Sequence, residues 1–493
     1  MMKTHNSIIL SFALLLFATL LSCNSDIKIS QSINSTPPIY PDYAGVTIPY
    51  NIAPLRFKLN NSFTKESIAI LMVDKQELRV KSKDCEFLIS NSQWRKLMNL
   101  SKGKTIHVTI LAKQNNKWIK YKPFDWCVST DPIDPYIAYR LIEPGYETWY
   151  RMGIYQRNLE NFSQSAIIEN RMTDNNCMNC HSFCMQNPRI MLFHMRAQNG
   201  GTFVIMGNNI EKLNTKTDKT ISALVYPSWH PSGNYVVFSV NNTAQFFHST
   251  KKNRVEVYDI ASDIVVYDVK HHSIKTSPLL SSAKSFETFP TFSPDGKKLY
   301  FCSADSCTMP QDYSSVKYSL CSIEFNPSQC SFGNKVDTLV SAYKENKSVS
   351  FPRVSPNGKY LCFTLSNYGN FSIWHKSADL WMLNLMNGKY FPLTEANSSD
   401  VESYHSWSSN SRWIVFSSRR IDGLYTRPYF THINNDGKSS KPFLLPQSNT
   451  EFYKRLMKSY NIPEFIKGKV NVNKRTLALK AKKDKGIDIT VQE

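Results

Sequence analysis

The sequence lacks the short motifs that mark three common kinds of enzyme site. It contains no GxSxG nucleophile elbow, no HExxH zinc motif and no GxxxxGK[ST] phosphate loop. Hydrolases and nucleotidases that depend on these motifs therefore have none of their residues here. We expect a binding or electron-transfer protein in preference to an enzyme.

Long apolar runs are also scarce. Only residues 8–21, IILSFALLLFATLL, form one, and this run is too short to span a membrane as a stable helix. Lys3 precedes it and LLSC follows it, which resembles a bacterial lipobox that ends at Cys23. We expect residues 1–22 to be a lipoprotein signal peptide and residues 23–40 to be a polar tether. The alternative is a plain signal peptide that happens to contain Cys23.

Acylation of Cys23 would anchor the mature protein to a membrane without a spanning helix. The predicted location is therefore the cell envelope, on the outer membrane, its periplasmic face or the cell surface. Asn24, which follows the predicted lipidation site, permits sorting to the outer membrane.

Acidic residues are few compared with basic ones. Asp and Glu number 39 against 59 Lys and Arg, which gives a formal net charge of +20. The basic residues are spread along the chain and not gathered into one stripe, so we expect no nucleic acid partner. The densest basic group lies in residues 447–493, which we interpret as a solvated C-terminal basic segment.

Four similar segments repeat in the second half of the chain. They are YPSWHPSGNYVVFS from Tyr226, FPTFSPDGKKLYFC from Phe289, FPRVSPNGKYLCFT from Phe351 and YHSWSSNSRWIVFS from Tyr404. Each has turn chemistry between two runs that alternate like half-buried strands, and two more strand-like runs follow. Four strands per unit of this size indicate the blades of a β-propeller.

The repeat resembles the TolB-type β-propeller, whose blades carry the pattern P-x-W-S-P-D-G-x-x-I-x-F. The resemblance covers about residues 185–446, and the last repeat departs from it because Ser409-Asn410-Ser411 replaces the turn. It implies a propeller of five or six blades over residues 188–446. It also implies a protein or glycan ligand that binds across the channel face.

The remaining segments complete an all-β prediction. Short strands over residues 41–130 favour an immunoglobulin-like β-sandwich. Residues 131–187 are interpreted as a connecting segment that carries the cysteine cluster described next. Short strands in the segment after residue 446 could supply a missing strand that closes the ring.

The cluster NNCMNCHSFC contains a CxxCH motif. In haem c attachment, two thiols at this spacing bond the vinyl groups and the following imidazole ligates the iron. Cys177 and Cys180 would form the thioethers of one covalent haem, with His181 as the iron ligand. A structural disulfide, a redox dithiol and a zinc site that includes Cys184 are the alternatives.

The sixth iron ligand has two main candidates on the strand LFHMR, His194 and Met195. Because neighbouring residues of a strand point to opposite sides, only one of them can face the haem. An open five-coordinate site is the other possibility. Three further side chains are weaker candidates: Met172, Met185 and His230.

The repeat also predicts where the motif lies. If Phe193 is set against Phe238, then Phe183 falls near the position of Trp229, with one residue extra. The CxxCH would then occupy the lead-in strand and turn of a blade, towards the mouth of the central channel.

The other cysteines have structural interpretations. In an oxidising compartment, disulfides could join neighbours in sequence or in one domain. The pairs that the sequence suggests are Cys302 with Cys307, Cys321 with Cys330, and Cys85 with Cys127, while Cys362 falls on a core strand.

The sequence thus predicts an exported, lipid-anchored, monomeric propeller protein with one covalent haem c, which transfers electrons or senses redox state with an envelope partner. The alternative is a protein- or glycan-interaction module in which the CxxCH is only structural.

Overall fold

A computed structural model describes residues 27–61, 64, 66–144, 151–249 and 253–492. The predicted signal peptide and the predicted lipidation site, Cys23, lie outside these residues. Among the described residues, no helix is both long and apolar enough to cross a membrane. The structure is nearly all β and consists of many small sheets.

Residues 27–131 form two sheets and one helix. The helix α1 (Asn91–Ser101) begins at Ser90, whose side chain accepts a hydrogen bond from the Gln93 backbone in a capping box. The strands are β1 (Ile29–Ser32), β2 (Ile39–Tyr40), β3 (Val46–Pro49), β4 (Phe57–Leu59), β5 (Glu66–Val73), β6 (Gln76–Ser82), β7 (Glu86–Phe87), β8 (Thr105–Gln114), β9 (Lys117–Lys120) and β10 (Phe124–Ser129).

The seven-stranded sheet contains β1, β3, β5, β6, β8, β9 and β10, and the three-stranded sheet contains β2, β4 and β7. The two sheets meet through aromatic side chains, since the ring of Phe57 in the three-stranded sheet lies 6.0 Å from that of Trp126 in the seven-stranded sheet. The front region is therefore a two-layer β structure. The finer immunoglobulin-like assignment stays a prediction.

The rest of the chain forms six further sheets. The strands of the first five groups are β11 (Tyr136–Ile142), β12 (Gly153–Asn158) and β13 (Gln164–Glu169); β14 (Met178–Phe183), β15 (Ile190–Met195), β16 (Gly201–Met206) and β17 (Asn209–Asn214); β18 (Leu224–Trp229), β19 (Tyr235–Phe247), β20 (Val255–Asp268) and β21 (Ser273–Lys275); β22 (Ser285–Phe292), β23 (Lys298–Asp305), β24 (Ser319–Asn326) and β25 (Ser331–Val340); β26 (Ser348–Val354), β27 (Tyr360–Ser366), β28 (Asp379–Asn384) and β29 (Tyr390–Pro392).

The sixth group of strands and the C-terminal segment contain the remaining elements. Three short helices, α2 (Ala342–Glu345), α3 (Phe452–Arg455) and α4 (Lys474–Lys483), lie between or after the strands. The strands are β30 (Glu402–Trp407), β31 (Trp413–Ser418), β32 (Arg427–His432), β33 (Phe443–Leu444), β34 (Ser459–Ile466), β35 (Ile487–Asp488) and β36 (Thr490–Val491).

These six sheets follow one another in a ring. The first sheet has the order β13-β12-β11-β34, and the second to sixth begin with β14, β18, β22, β26 and β30. Each of these first strands contacts the next, and β34 contacts both β30 and β14. The arrangement is propeller-like, with β34 joining the last sheet to the first.

One predicted boundary differs from the structure, and the strand that the segment after residue 446 was expected to add to the ring is present as β34. Residues 131–187 are not a connecting segment, because β11, β12 and β13 form the outer three strands of the first sheet, and β14 begins the second. The segment after residue 446 supplies β34, which pairs with β11. The pairing joins residues more than 300 positions apart, so local sequence pattern could not reveal the first sheet.

The turns of the repeat form by the chemistry that the sequence predicted. Ser293 Oγ accepts a hydrogen bond from the Lys298 backbone at 3.0 Å, and Gly296 has φ +72°. In the sixth sheet Ser408 Oγ accepts from the Trp413 backbone at 2.9 Å, and Ser411 takes φ +61° where the other turns have glycine. The degenerate repeat therefore keeps the same turn.

Candidate functional site at the mouth of the central channel

A β-bulge interrupts the innermost strand of every one of the six sheets, which is β34 in the first sheet and the first strand in the other five. The register shifts at the same place in each pairing, and the first bulge residue has φ between +48° and +53°. Such a φ is uncommon for residues other than glycine. Here the paired strand residues on both sides of the bulge fix this backbone conformation. The six residues, which we call the axial ring, are Cys180, Tyr226, Phe289, Phe351, Tyr404 and Ile462.

The axial ring closes the channel with aromatic side chains. The Phe289 ring lies 4.0 Å from that of Phe351 and 4.6 Å from that of Tyr226, and Phe351 lies 4.6 Å from Tyr404. Cys180 and Ile462 complete the ring. The channel therefore has a floor at this level.

The second bulge residue lies between neighbouring sheets. It is proline in four sheets and histidine in two, at His181 and His405. His405 Nε2 lies 2.9 Å from the backbone oxygen of Cys362, in the second strand of the preceding sheet. His181 likewise faces the neighbouring sheet, near Ala138 and Ile462 of the first sheet, but its ring makes no hydrogen bond among the described residues.

The residue after the bulge pair faces a cavity above the floor. One such residue comes from each sheet, and the cavity measures about 130 Å³. We call these six residues the cavity ring: Ser182, Ser228, Thr291, Arg353, Ser406 and Glu464. Four of the six are hydroxyl side chains, so the cavity is lined by polar groups at its centre.

Tryptophan side chains hold the cavity ring in place. Trp229 Nε1 donates to the backbone oxygen of Ser182 at 3.3 Å, and Trp407 Nε1 donates to that of Arg353 at 3.0 Å. Each bond joins the first strands of two neighbouring sheets. The walls of the cavity are therefore tied together at the level of the cavity ring.

Arg353 and Glu464 are the charged members of the cavity ring. Burial lowers the pKa of Arg353, and burial raises the pKa of Glu464 to about 8 even though the Phe183 backbone and Arg353 act against that rise. Arg353 donates to the Pro352 oxygen at 2.9 Å, and Glu464 accepts from the Phe183 backbone at 3.0 Å. At neutral pH the cavity then holds one positive charge and one mostly protonated carboxyl group.

Gln186 adds an unpaired acceptor to the cavity wall. Its side-chain nitrogen lies 3.4 Å from the Trp407 oxygen, while its Oε1 is buried and has no hydrogen-bond partner among the described residues. A buried acceptor without a partner is costly unless a ligand or water supplies a donor. The cavity thus has hydrogen-bonding capacity that the protein itself leaves unused.

The structure separates the three residues of the CxxCH motif by role. Cys177 precedes β14, Cys180 belongs to the axial ring, and His181 is the buried residue between two sheets, only 3% exposed. Burial lowers the pKa of His181 to about 3, and both ring nitrogens lack a hydrogen-bond partner among the described residues. The imidazole is therefore neutral and enclosed.

This arrangement does not fit a covalent haem. His181 and Cys180 are 3% and 6% exposed, so a porphyrin bonded to both thiols and to the imidazole would require the surrounding segments to move. Covalent haem attachment stays a prediction from the motif.

The two predicted sixth ligands lie on opposite faces of the second sheet. His194 Nδ1 lies 3.1 Å from Thr202 Oγ1, on the face towards the third sheet, whereas His181 lies on the face towards the first. The two imidazoles therefore cannot ligate one iron atom. Met195 lies on the same face as His181 but is packed in the core, 1% exposed.

The weaker ligand candidates lie elsewhere. His230 uses both ring nitrogens, with Nδ1 2.7 Å from Ser232 Oγ and Nε2 3.1 Å from the Gly296 oxygen. Met185 lines the cavity mouth and Met172 packs against the core of the first two sheets.

The predicted disulfides are absent, since all ten described cysteines are free. Cys85 is buried and donates to the Thr64 oxygen, whereas Cys127 is exposed, so this pair does not meet. The pairs within the fourth sheet, Cys302 with Cys307 and Cys321 with Cys330, are also not formed. Burial raises the pKa of Cys180, the opposite of the change that activates a redox dithiol.

Sequence reasoning missed the cavity ring. The third residue of each repeat could have predicted it, because this residue is polar in YPS, FPT, FPR and YHS and follows the bulge pair. The same frame fits CHS at 180–182 and IPE at 462–464. Only the bulges of the structure show that these two segments belong to the repeat.

Comparison with known proteins gives only weak likenesses. No family model and no curated protein matches the chain. A solved oligogalacturonate lyase in complex with manganese has 10% identity and a TM-score of 0.35, covering 63% of this chain and 74% of that one. At such scores the likenesses support no functional inference.

Two other solved structures are similar to the same degree. The periplasmic gluconolactonase of Pseudomonas aeruginosa has 10% identity and a TM-score of 0.35, covering 64% of this chain and 97% of that one. A puromycin-hydrolyzing peptidase of Mycobacterium tuberculosis has 10% identity and a TM-score of 0.36, covering 82% and 57%.

Proposed function

We propose that the protein is an exported, lipid-anchored binding module of TolB type, which recognises a ligand of the cell envelope at the mouth of its central channel. The observation that carries this proposal is the cavity ring, six inward-facing residues from six sheets around one cavity. A concave site with a few converging polar groups is the usual form of a ligand site. The CxxCH then serves the packing of the second sheet.

The closed floor supports a binding role over a passage through the channel. Because aromatic residues of the axial ring contact one another, a ligand would enter from the mouth and stop at the floor. Rim residues such as Met185, which is 37% exposed, surround the entrance with apolar surface. A ligand that enters the cavity would contact apolar residues at the entrance and polar residues of the cavity ring further in.

A screen of envelope glycan fragments and short peptides by thermal shift tests the proposal. Ser228→Phe would fill the cavity, since Ser228 Oγ lies there, 3.2 Å from Thr291 Oγ1. Ser314→Phe, at an exposed loop position, is the matched control. Ligands that stabilise the wild type and the control but not Ser228→Phe support the proposal. A screen without any such ligand contradicts it.

Electron transfer through a covalent haem is the weaker candidate. It rests on the spacing of Cys177, Cys180 and His181 and on the two unpartnered nitrogens of the imidazole. The enclosed position of that imidazole speaks against it. Expression with the cytochrome c maturation machinery, followed by the haem spectrum of the denatured protein, tests this candidate directly.

A further inference from the structure

The charges of the cavity ring limit what the channel mouth can hold. Arg353 makes its one side-chain hydrogen bond to the Pro352 oxygen of its own segment. Among the described residues, no carboxylate forms an ion pair with it, and Glu464 is the acidic group that acts on it from a distance. A guanidinium in a cavity without a close counter-ion favours an anionic ligand.

Glu464 does not cancel this charge at neutral pH. Burial keeps its carboxyl group mostly protonated, so it offers a hydrogen-bond donor to the same cavity that Arg353 lines. The hydroxyl groups of Ser228 and Thr291 lie across the same cavity and can donate or accept. The ring thus combines one cation, one acid donor and several hydroxyl groups.

From these groups we infer that the cavity binds a small hydroxylated carboxylate, such as a sugar acid, with its carboxylate on Arg353 and its hydroxyl groups on the remaining cavity ring. This inference rests on the proposed binding function and names its ligand class. Gln186 Oε1, which is buried and unpartnered, would accept a hydrogen bond from a ligand hydroxyl group.

The size of the cavity agrees with such a ligand. Its volume of about 130 Å³ compares with the 10–15 Å³ or more that one water needs in the same measure. It therefore accommodates a small molecule of the size of a single sugar acid and not an oligomer. A longer ligand would have only its end in the cavity.

Calorimetric titration of the full chain with D-glucuronate and with its neutral amide, D-glucuronamide, tests the inference. We expect glucuronate to bind about tenfold or more tightly, because a charged hydrogen bond to Arg353 is lost in the amide. Arg353→Met should remove this preference, and Arg353→Lys should weaken glucuronate binding while it keeps part of the preference. Glu464→Gln, which stays neutral and retains a donor, should preserve it.

The outcomes separate the two proposals. Equal binding of glucuronate and its amide, or a wild-type preference that survives in Arg353→Met, overturns the carboxylate assignment. A neutral glycan or a peptide that binds in the cavity where glucuronate does not also overturns it, but leaves the proposed binding function standing. If no ligand of any kind binds at the cavity, both fall. Unchanged melting temperatures of the ligand-free variants show that each one is folded.

Discussion

The His375 imidazole and the Glu256 carboxylate form a buried pair, with Nε2 of His375 2.8 Å from Oε2 of Glu256 and both side chains only 3% exposed. Glu256 lies in β20 of the third sheet, and His375 follows the turn after β27 in the fifth. Tyr368 donates to the other carboxylate oxygen at 2.7 Å. The pair therefore links two sheets that are not neighbours.

Removing one member of this pair should destabilise the protein strongly. His375→Gln disrupts the hydrogen bond to the buried Glu256 carboxylate, and leaving a buried charged group short of a partner costs about 1–3 kcal/mol or more. Urea unfolding at pH 7 measures the change. His271→Gln, in an exposed pair with Asp268, is the control and should change the unfolding free energy by about 1 kcal/mol or less. Equal effects of the two substitutions would contradict the expectation.

The same pair predicts how stability depends on acid. Burial alone raises the pKa of Glu256, but the hydrogen bond and the charge of His375 outweigh it and lower the pKa below its ordinary value. A carboxylate with a lowered pKa in the folded state contributes stability above its unfolded pKa of about 4.3, and this contribution is lost as the pH falls through the folded pKa. Glu256→Gln should therefore flatten the acid limb of the stability curve. An unchanged acid limb would show that other groups control it.

The two histidines of the bulge pairs give a direct test of the CxxCH motif. His181 and His405 occupy the position that carries proline in four other sheets. If His181 only packs between sheets, His181→Pro should fold and should shift the melting temperature by about as much as His405→Pro, a few degrees. The melting curves of both variants, followed by circular dichroism, provide the measurement.

Haem content separates this interpretation from the cytochrome prediction. We expect no covalent haem in the wild type after expression with the cytochrome c maturation machinery, because the described residues enclose His181 and Cys180. A haem that stays with the denatured wild-type chain, and that is lost in Cys177→Ala with Cys180→Ala, would show that the sequence motif prevails over the packing seen here.

Lipid attachment at Cys23 remains testable apart from the fold. Labelling with radioactive palmitate should mark the wild type and not Cys23→Ala, because the acyl chains bond that thiol and the new amino terminus. Cys85→Ala, a buried cysteine of the front region, is the matched control and should still be labelled. No label in the wild type would indicate a plain signal peptide, and label that persists in Cys23→Ala would indicate acylation at another site.

The local sequence pattern was sufficient to predict much of the fold. The turns around Gly296 and Gly358 follow from their residues, and the setting of Phe183 against Trp229 agrees with the bulges of β14 and β18. The first sheet was hidden because β34 pairs with β11 across most of the chain length. Pairing over such a distance leaves no local signal.

The face on which His194 lies could not be predicted for a related reason. Alternation along a strand predicts which residues share a face only while the register is unbroken. The bulge at Cys180 and His181 shifts the phase of β14 by one residue, so His181 faces the first sheet and His194 the third. The six bulges place the residues of the cavity ring. They are also the feature that strand alternation in the sequence does not reveal.

The floor of the channel should be a stability element as well as a boundary of the cavity. Phe289 is 1% exposed and its ring contacts those of Tyr226 and Phe351, so Phe289→Ala leaves a void and should cost about 3–5 kcal/mol in unfolding free energy. Phe247→Ala, at a side chain that is 53% exposed, is the control and should cost far less. Because Phe289 packs within the floor, Phe289→Ala should also weaken any ligand that ends on the floor. Urea unfolding and calorimetric titration of the two variants provide the measurements. A Phe289→Ala variant as stable as Phe247→Ala would contradict this role.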